Sequence, residues 1–152
     1  MSEMTVFNIA KWFLSKESMT PKKLQKIVYY AYAWFLTLMN EDDANIENKL
    51  FDNYFEAWVH GPVCPTLYAE YKTYGYKEIP KVTEKIEFAS DVEEILEQVW
   101  DVYGGYSAGQ LESISHQESP WKNAREGCSA YGICTNKIQE TDMYKCYAER
   151  LA

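Results

Sequence analysis

The fold of this chain is decided by one stretch, TPKKLQKIVYYAYAWFLTLM, which covers residues 20–39. Thr20 can cap the free amides of a first helical turn, and Pro21 suits the first helical position because no amide donor is needed there. Apolar residues then recur at steps of three and four, which gives a helix a continuous buried face. Tyrosines and a tryptophan cover much of the remaining surface, and a helix that is apolar on nearly all sides is usually enclosed by others. We therefore predict a central core helix over residues 21–39.

Further helices are predicted around this one. Apolar periods and start signals indicate helices over residues 5–16 and 142–151, and helices that begin at Pro65, Ser90, Ser107 and Ser119. The patterns Ser90-x-x-Glu93 and Ser107-x-x-Gln110 are typical of a capping box.

Two segments are harder to assign. Asp52 can cap a short helix through Trp58, which His60-Gly61-Pro62 would end. Residues 76–88 alternate weakly and allow a small β-hairpin arm. The expected fold is mainly α: a single compact domain over residues 1–152, with about six to eight helices around a central buried helix.

Composition narrows the class of partner. The chain has 152 residues, of which 47% are hydrophobic, and a net charge of -8. Nucleic-acid binding is therefore disfavoured, because affinity for phosphates comes mainly from lysine and arginine. The local basic cluster of Lys22, Lys23 and Lys26 at the start of the central helix is most simply a solvated helix end.

Membrane, metal and cofactor partners are not expected. The first residues lack the basic start and apolar run of a signal peptide, and residues 27–39 are too short to cross a bilayer, which takes ~20 residues. The four cysteines show no C-x-x-C spacing, so a zinc site is disfavoured. We expect a cytoplasmic protein with free thiols, since thiols stay reduced in the cytosol.

The sequence motifs do not indicate a catalytic site, so we expect no catalytic residues. The Walker and H-E-x-x-H patterns do not occur. The G-x-S-x-G spacing occurs at residues 105–109, but it follows a predicted helix and not the strand that a nucleophile elbow needs, and its Ser107 belongs to the capping box. Cys64 follows His60 closely, and a Cys–His pair can form a nucleophile, which leaves a cysteine hydrolase as a minor alternative.

A helix-turn-helix regulator is the second alternative. A helix before Gly61-Pro62 and another from Pro65 would imitate that motif, but the second helix presents few basic or amide side chains. A protein-binding module fits the composition better, because Trp and Tyr are enriched at binding hot spots. Trp34, Tyr68, Trp121 and Tyr131 are candidate anchors, although a place in the core is the default expectation for each.

A family resemblance emerges from several short motifs taken together. They are KLQKIVYYA at 23–31, FEAWVHGPV at 55–63, LY at 67–68, YG at 103–104, SAGQL at 107–111, SH at 115–116 and PW at 120–121. In this order they resemble the Panacea domain, a family that includes SocA-like antitoxins and GepA-like phage-associated proteins. The resemblance covers residues 5–126 and does not extend to residues 127–138.

The resemblance implies a mostly helical antitoxin that neutralises a cognate protein toxin by direct contact and is not an enzyme. It also implies an adaptor role, in which the toxin is delivered to a protease, and an origin in a prophage or mobile element. The protein would then act in the cytoplasm of a bacterium or of a phage-infected host cell. The toxin itself is not identified by the family, because the domain pairs with many unrelated toxins.

The motif residues divide into backbone devices and candidate partner-binding residues. Gly61, Pro62 and Pro120 are expected to shape turns and helix starts. His60, His116 and Trp121 are expected to meet near one end of the central helix in a shared polar and aromatic site. The basic first turn and the Tyr30 side of the central helix are expected to border the partner surface. The full set of expected partner-binding residues is Lys22, Lys26, Tyr30, His60, Tyr68, His116 and Trp121.

Overall fold

The computed structural model describes residues 1–151 and is mainly α-helical. Within these residues it contains seven α-helices and one two-stranded sheet. The elements are α1 (Val6–Leu14), α2 (Pro21–Leu38), β1 (Glu56–Trp58), β2 (Gly61–Val63), α3 (Pro65–Tyr71), α4 (Ser90–Tyr103), α5 (Ala108–His116), α6 (Ser119–Ala124) and α7 (Glu140–Ala148). Short 3-10 turns follow α3 at Lys72–Tyr74 and α7 at Glu149–Leu151.

Helix α2 is the centre of the fold, which confirms the prediction of a buried central helix. The Thr20 side chain accepts a hydrogen bond from the amide of Lys23, and Pro21 occupies the first turn. Of its 18 residues, 13 are buried, because α1, α3, α4, α5, α7 and β2 all pack against it. Its aromatic side chains become internal contacts: the Tyr30 ring stacks on Tyr103 of α4 with 4.0 Å between centroids.

Only one of the two predicted capping boxes forms. At α5 the prediction is confirmed, since the Ser107 hydroxyl accepts from the Gln110 amide and the Gln110 side chain accepts from the Ser107 amide. At α4 it is wrong, because the helix begins at Ser90 itself and its N-cap is Ala89. The helix therefore starts one residue earlier than the box would place it. The Glu93 carboxylate accepts from the amide of Phe88, two residues before Ser90, and not from the amide of Ser90.

The short helix predicted after Asp52 is also wrong, because residues 56–63 form the hairpin of β1 and β2. The strands pair antiparallel, with Glu56 opposite Val63 and Trp58 opposite Gly61. Phe55 and Ala57 are both buried, which is the two-residue period of a strand. The far edge of β1 is also bonded, since Ala57 donates its amide to the Asn136 carbonyl. Partners on both edges favour a strand over a helix here.

The hairpin arm proposed for residues 76–88 does not form. This segment instead runs along α1 and the start of α2, where Ile79 bridges to Met19 and the Val82 amide donates to the Leu14 carbonyl. The small hairpin that the sequence allowed is therefore present in the fold, but at residues 56–63.

Two of the four cysteines are paired, which corrects the expectation of free thiols. Cys128 and Cys134 form a disulfide across a short loop, with Cα atoms 5.9 Å apart. Arg125 holds this loop against β1 by donating to the carbonyls of Ala57, Ser129 and Gly132, each at 2.8 Å. Cys64 and Cys146 remain free.

Two features are absent from residues 1–151. No helix in this range has the length and apolar character needed to cross a bilayer. In the same range, no group of three or more His, Cys, Asp or Glu residues is arranged to hold a metal ion.

Candidate functional site

An open groove with a volume of about 400 Å³ lies between the start of α2, the hairpin and α3. Four of the seven expected partner-binding residues line it, although the sequence separates them by up to 46 positions: Lys22, Lys26, His60 and Tyr68. The other lining residues are Pro21, Leu24, Gln25, Trp58, Val63, Leu67, Tyr71, Lys72, Gly75 and Tyr76. The groove is therefore a single surface assembled from three elements of the fold.

Aromatic rings form the walls of the groove. Trp58 of β1 and Tyr68 of α3 pack edge to face, with 4.9 Å between ring centroids. Tyr68 is 42% exposed and Tyr76, just after α3, is fully exposed. Exposed aromatic rings beside one another offer a large contact area that can exclude water.

The charges at the rim of the groove are partly paired. Lys22 forms an ion pair with Glu112 of α5, and His60 Nδ1 lies 3.2 Å from the same carboxylate. Burial alone would raise the pKa of Glu112, but hydrogen bonds from Lys22 and His60 outweigh it and lower the pKa below its ordinary value. Glu112 therefore stays ionised and holds the hairpin turn close to the first turn of α2.

Lys26 is buried, which corrects the expectation of a solvated basic cluster. It is 1% exposed, and its Nζ donates to the Pro62 carbonyl at 3.2 Å. Burial lowers its pKa to about 7, repulsion from Lys22 adds to the effect, and Glu112 opposes it. The reason is tertiary: the hairpin folds over the second turn of α2 and covers a side chain that the isolated helix would expose.

Gly61 makes this close packing possible. A Cβ atom at this position would lie 2.5 Å from Lys26 Cε and 3.0 Å from Ser115 Oγ, and the backbone φ is +109°. Only glycine adopts such a conformation readily. Gly61 and Pro62 therefore act on the site through the backbone, as expected, and Pro120 lies in the first turn of α6.

His116 and Trp121 form a stack next to the groove. Their rings are 3.9 Å apart and 13° from parallel, and burial lowers the pKa of His116. Trp121 Nε1 donates to the carbonyl of Trp58, whose own ring lines the groove. The third expected member, His60, reaches the region through Glu112, four residues before His116 on α5. The three motif residues thus lie in one region, although the structure records no direct contact between the two imidazoles.

Tyr30 lies away from the surface, so the expectation that it borders a partner is wrong. It is fully buried, and its hydroxyl donates to Glu118 Oε1 at 2.8 Å. Glu118 also accepts from Tyr147 and Arg150. Sequence reasoning missed this buried carboxylate, whose only signal was its position directly before the Ser119-Pro120 helix start.

The structure does not support either alternative function. Cys64 is fully buried, and burial raises the pKa of its thiol, whereas a nucleophilic cysteine needs a lowered pKa. His60 pairs with Glu112 instead of the thiol. The helix-turn-helix reading fails because its first helix is the β-hairpin.

Much of the chain is similar to known proteins. The family model described as "Antitoxin SocA-like, Panacea domain" matches residues 24–122, more than half of the chain. Antitoxin SocA from Caulobacter vibrioides (strain NA1000 / CB15N) is 32% identical over 111 residues, covering 64% of this chain and 55% of that protein. The chain thus spans about half the length of this curated relative. No solved structure matches the chain.

Proposed function

The chain belongs to the family of SocA-like antitoxins with a Panacea domain, and on this premise we propose that it neutralises a protein toxin by direct contact through the groove. The observation that carries the proposal is an uncovered aromatic groove whose lining residues, apart from Pro21 and Lys22, lie inside the segment matched by the family model. Family membership favours a non-catalytic protein, and such a protein needs a contact surface.

The groove has the properties of a binding hot spot. Its walls are tryptophan and tyrosine, two of the residue types that dominate binding energy at interfaces. Tyr68 is central to it, because its ring packs on Trp58 and yet remains 42% exposed. Truncation of such an anchor typically costs 2 kcal/mol or more of binding free energy, which is roughly thirtyfold in affinity.

The test is co-expression with the product of the adjacent gene as the candidate toxin, using two matched variants. Tyr68→Ser removes the groove anchor, whereas Tyr106→Ser removes a tyrosine of similar exposure, 39%, outside the groove. We expect Tyr68→Ser to lose rescue of growth and to bind the purified toxin at least tenfold more weakly. Tyr106→Ser should behave as wild type, and circular dichroism should show that both variants are folded.

Two results would contradict the proposal. If the unaltered protein neither rescues growth nor forms a complex, neutralisation by direct contact fails. If a complex forms but Tyr68→Ser and Tyr106→Ser bind equally well, direct contact stands and the groove is not its surface.

The finer roles that the family resemblance implies form part of the same proposal. As a proteolytic adaptor, the protein would shorten the lifetime of the toxin in cells, and a toxin that persists in an inhibited complex would contradict this. A cytoplasmic location, in which Cys128 and Cys134 would be reduced to thiols, and a gene in a prophage or mobile element complete the proposal. Fractionation and the identity of the neighbouring genes test these two points.

A further inference from the structure

We propose that the groove recognises an acidic side chain of the toxin segment that fills it, and that Lys26 is the group that binds this carboxylate. The inference rests on the proposed function, because it names the chemistry of the partner at the same groove. It adds a specific recognition residue where the aromatic walls supply only contact area.

Charge complementarity is the first argument. The chain carries a net charge of -8, yet the residues that line the groove include three lysines and a histidine and no aspartate or glutamate. Lys22 and His60 already share Glu112. Lys26 has no acidic partner within ion-pair distance, and it is the only buried lysine in residues 1–151. An anion that enters the groove would find this amine unpaired.

Donor capacity is the second argument. A lysine ammonium group has three hydrogens to donate. Among the described residues, Lys26 Nζ has one acceptor, the Pro62 carbonyl, so two hydrogens remain without a partner. A buried ammonium group is costly unless it is paired and hydrogen-bonded. A carboxylate from the toxin would satisfy both requirements at once.

The walls define what else the toxin segment must carry. Trp58, Tyr68 and Tyr71 line the same groove as Lys26 and give it aromatic surface. The matching segment therefore places an aromatic or aliphatic side chain next to an aspartate or glutamate. The apolar group fills the groove while the acid reaches its floor.

The proposal makes binding depend on pH. The charged groups that act on the amine are Lys22 from α2 and Glu112 and His116 from α5, and His60 from the hairpin turn pairs with the same Glu112. In the free protein the pKa of Lys26 is about 7, and a bound carboxylate would raise it. Binding then takes up a proton above pH 7, so affinity should fall by up to tenfold for each pH unit above 7.

The experiment uses two small probes and the full chain. 3-Phenylpropionate carries the aromatic ring and the carboxylate, and 3-phenylpropionamide is its uncharged counterpart. Titration into isotope-labelled protein, followed by NMR at pH 6.5 and pH 8.5, gives both affinities. We expect the acid to bind at least tenfold more tightly than the amide at pH 6.5 and to lose most of this advantage at pH 8.5.

Two variants test whether the preference for the acid over the amide depends on Lys26. Lys26→Met should bind the acid and the amide equally, whereas Lys122→Met, an exposed lysine of α6, should keep the wild-type preference. Equal binding of the two probes by the wild type, no binding of either probe, or a preference that survives in Lys26→Met would each overturn the inference. The wild-type comparison at two pH values needs no variant and decides the matter even if Lys26→Met fails to fold.

The two proposals can fail separately. Loss of neutralisation by Tyr68→Ser together with equal binding of the acid and the amide would leave the groove as the toxin site and remove carboxylate recognition. Preference for the acid without any effect of Tyr68→Ser on neutralisation would leave an anion site that the toxin does not use.

Discussion

The buried amine of Lys26 makes the stability of the folded chain rise with pH, as a carboxylate held in an ion pair does, but in a higher range of pH. Its pKa is lowered to about 7 in the folded chain from an ordinary value of 10.5. Between these values the unfolded chain binds more protons, so the contribution of Lys26 to the free energy of unfolding rises with pH. Below pH 7 the folded protein carries the full cost of a buried charge, and above 10.5 that cost is absent.

Lys26→Met is therefore expected to stabilise the protein at neutral pH. The variant removes the buried charge and keeps a side chain of similar length, at the loss of one hydrogen bond to Pro62. We expect the free energy of unfolding at pH 7 to increase by about 1–3 kcal/mol. The gain should shrink as the pH rises to 9.5. Urea denaturation of both proteins at the two pH values measures this, and a difference that is independent of pH would contradict it.

Residue-level prediction succeeded for groups that act through local chemistry and failed for groups covered by distant segments. The roles of Gly61 and Pro120 could be predicted from the sequence, because a positive φ and a helix start depend on only a few neighbouring residues. Lys26 and Tyr30 were expected at the surface. They are buried because the hairpin and Glu118, which lie 36 and 88 positions further along the chain, pack over them. Single-helix patterns carry no information about such contacts.

At the scale of elements, the two serine-led helix starts offer a matched comparison. Ser107 accepts a hydrogen bond from the Gln110 amide at the start of α5, whereas Ser90 makes no capping bond at the start of α4. Ser107→Ala should reduce the free energy of unfolding by about 1 kcal/mol, as for other lost N-caps. Ser90→Ala should change it by less than about 0.5 kcal/mol, as for other surface substitutions. Equal effects in urea denaturation would show that the bonds at Ser107 do not stabilise the helix.

Element types were predictable where a helix has a clear apolar period and a start signal. Helices α2 and α5 were located in this way, with Pro21 and the Ser107 capping box as starts. The hairpin was missed because its strands have three residues each, too few to show a period. Part of its stability also comes from residues 136–138, which bond the outer edge of β1. A strand that depends on a segment so distant leaves little trace in its own sequence.

At the scale of the whole molecule, one contiguous core joins six of the seven helices of residues 1–151, and Trp121 and Ala124 of α6 pack against it. Glu118 adds polar links to it, by accepting hydrogen bonds from Tyr30 of α2, Tyr147 of α7 and Arg150 after α7. Breaking a buried, hydrogen-bonded charge is strongly unfavourable, so these elements resist separate opening. We propose that the chain is a single cooperative domain.

Cooperative unfolding has a direct measurement. The five tryptophans report tertiary structure at both ends of the chain, and circular dichroism at 222 nm reports the helices. Both signals should give one urea transition with the same midpoint, as for a two-state protein of this size. Different urea midpoints from the two signals would show that part of the chain unfolds independently.

Helix α2 also constrains how this protein can change over evolutionary time. Nearly every position in it meets another element, so most substitutions there require compensating changes elsewhere. The groove draws its exposed side chains from short segments that leave this helix untouched, chiefly the hairpin turn and residues 68–76. Under the proposed function, a lineage could exchange one toxin for another by altering a few such positions while inheriting the same scaffold.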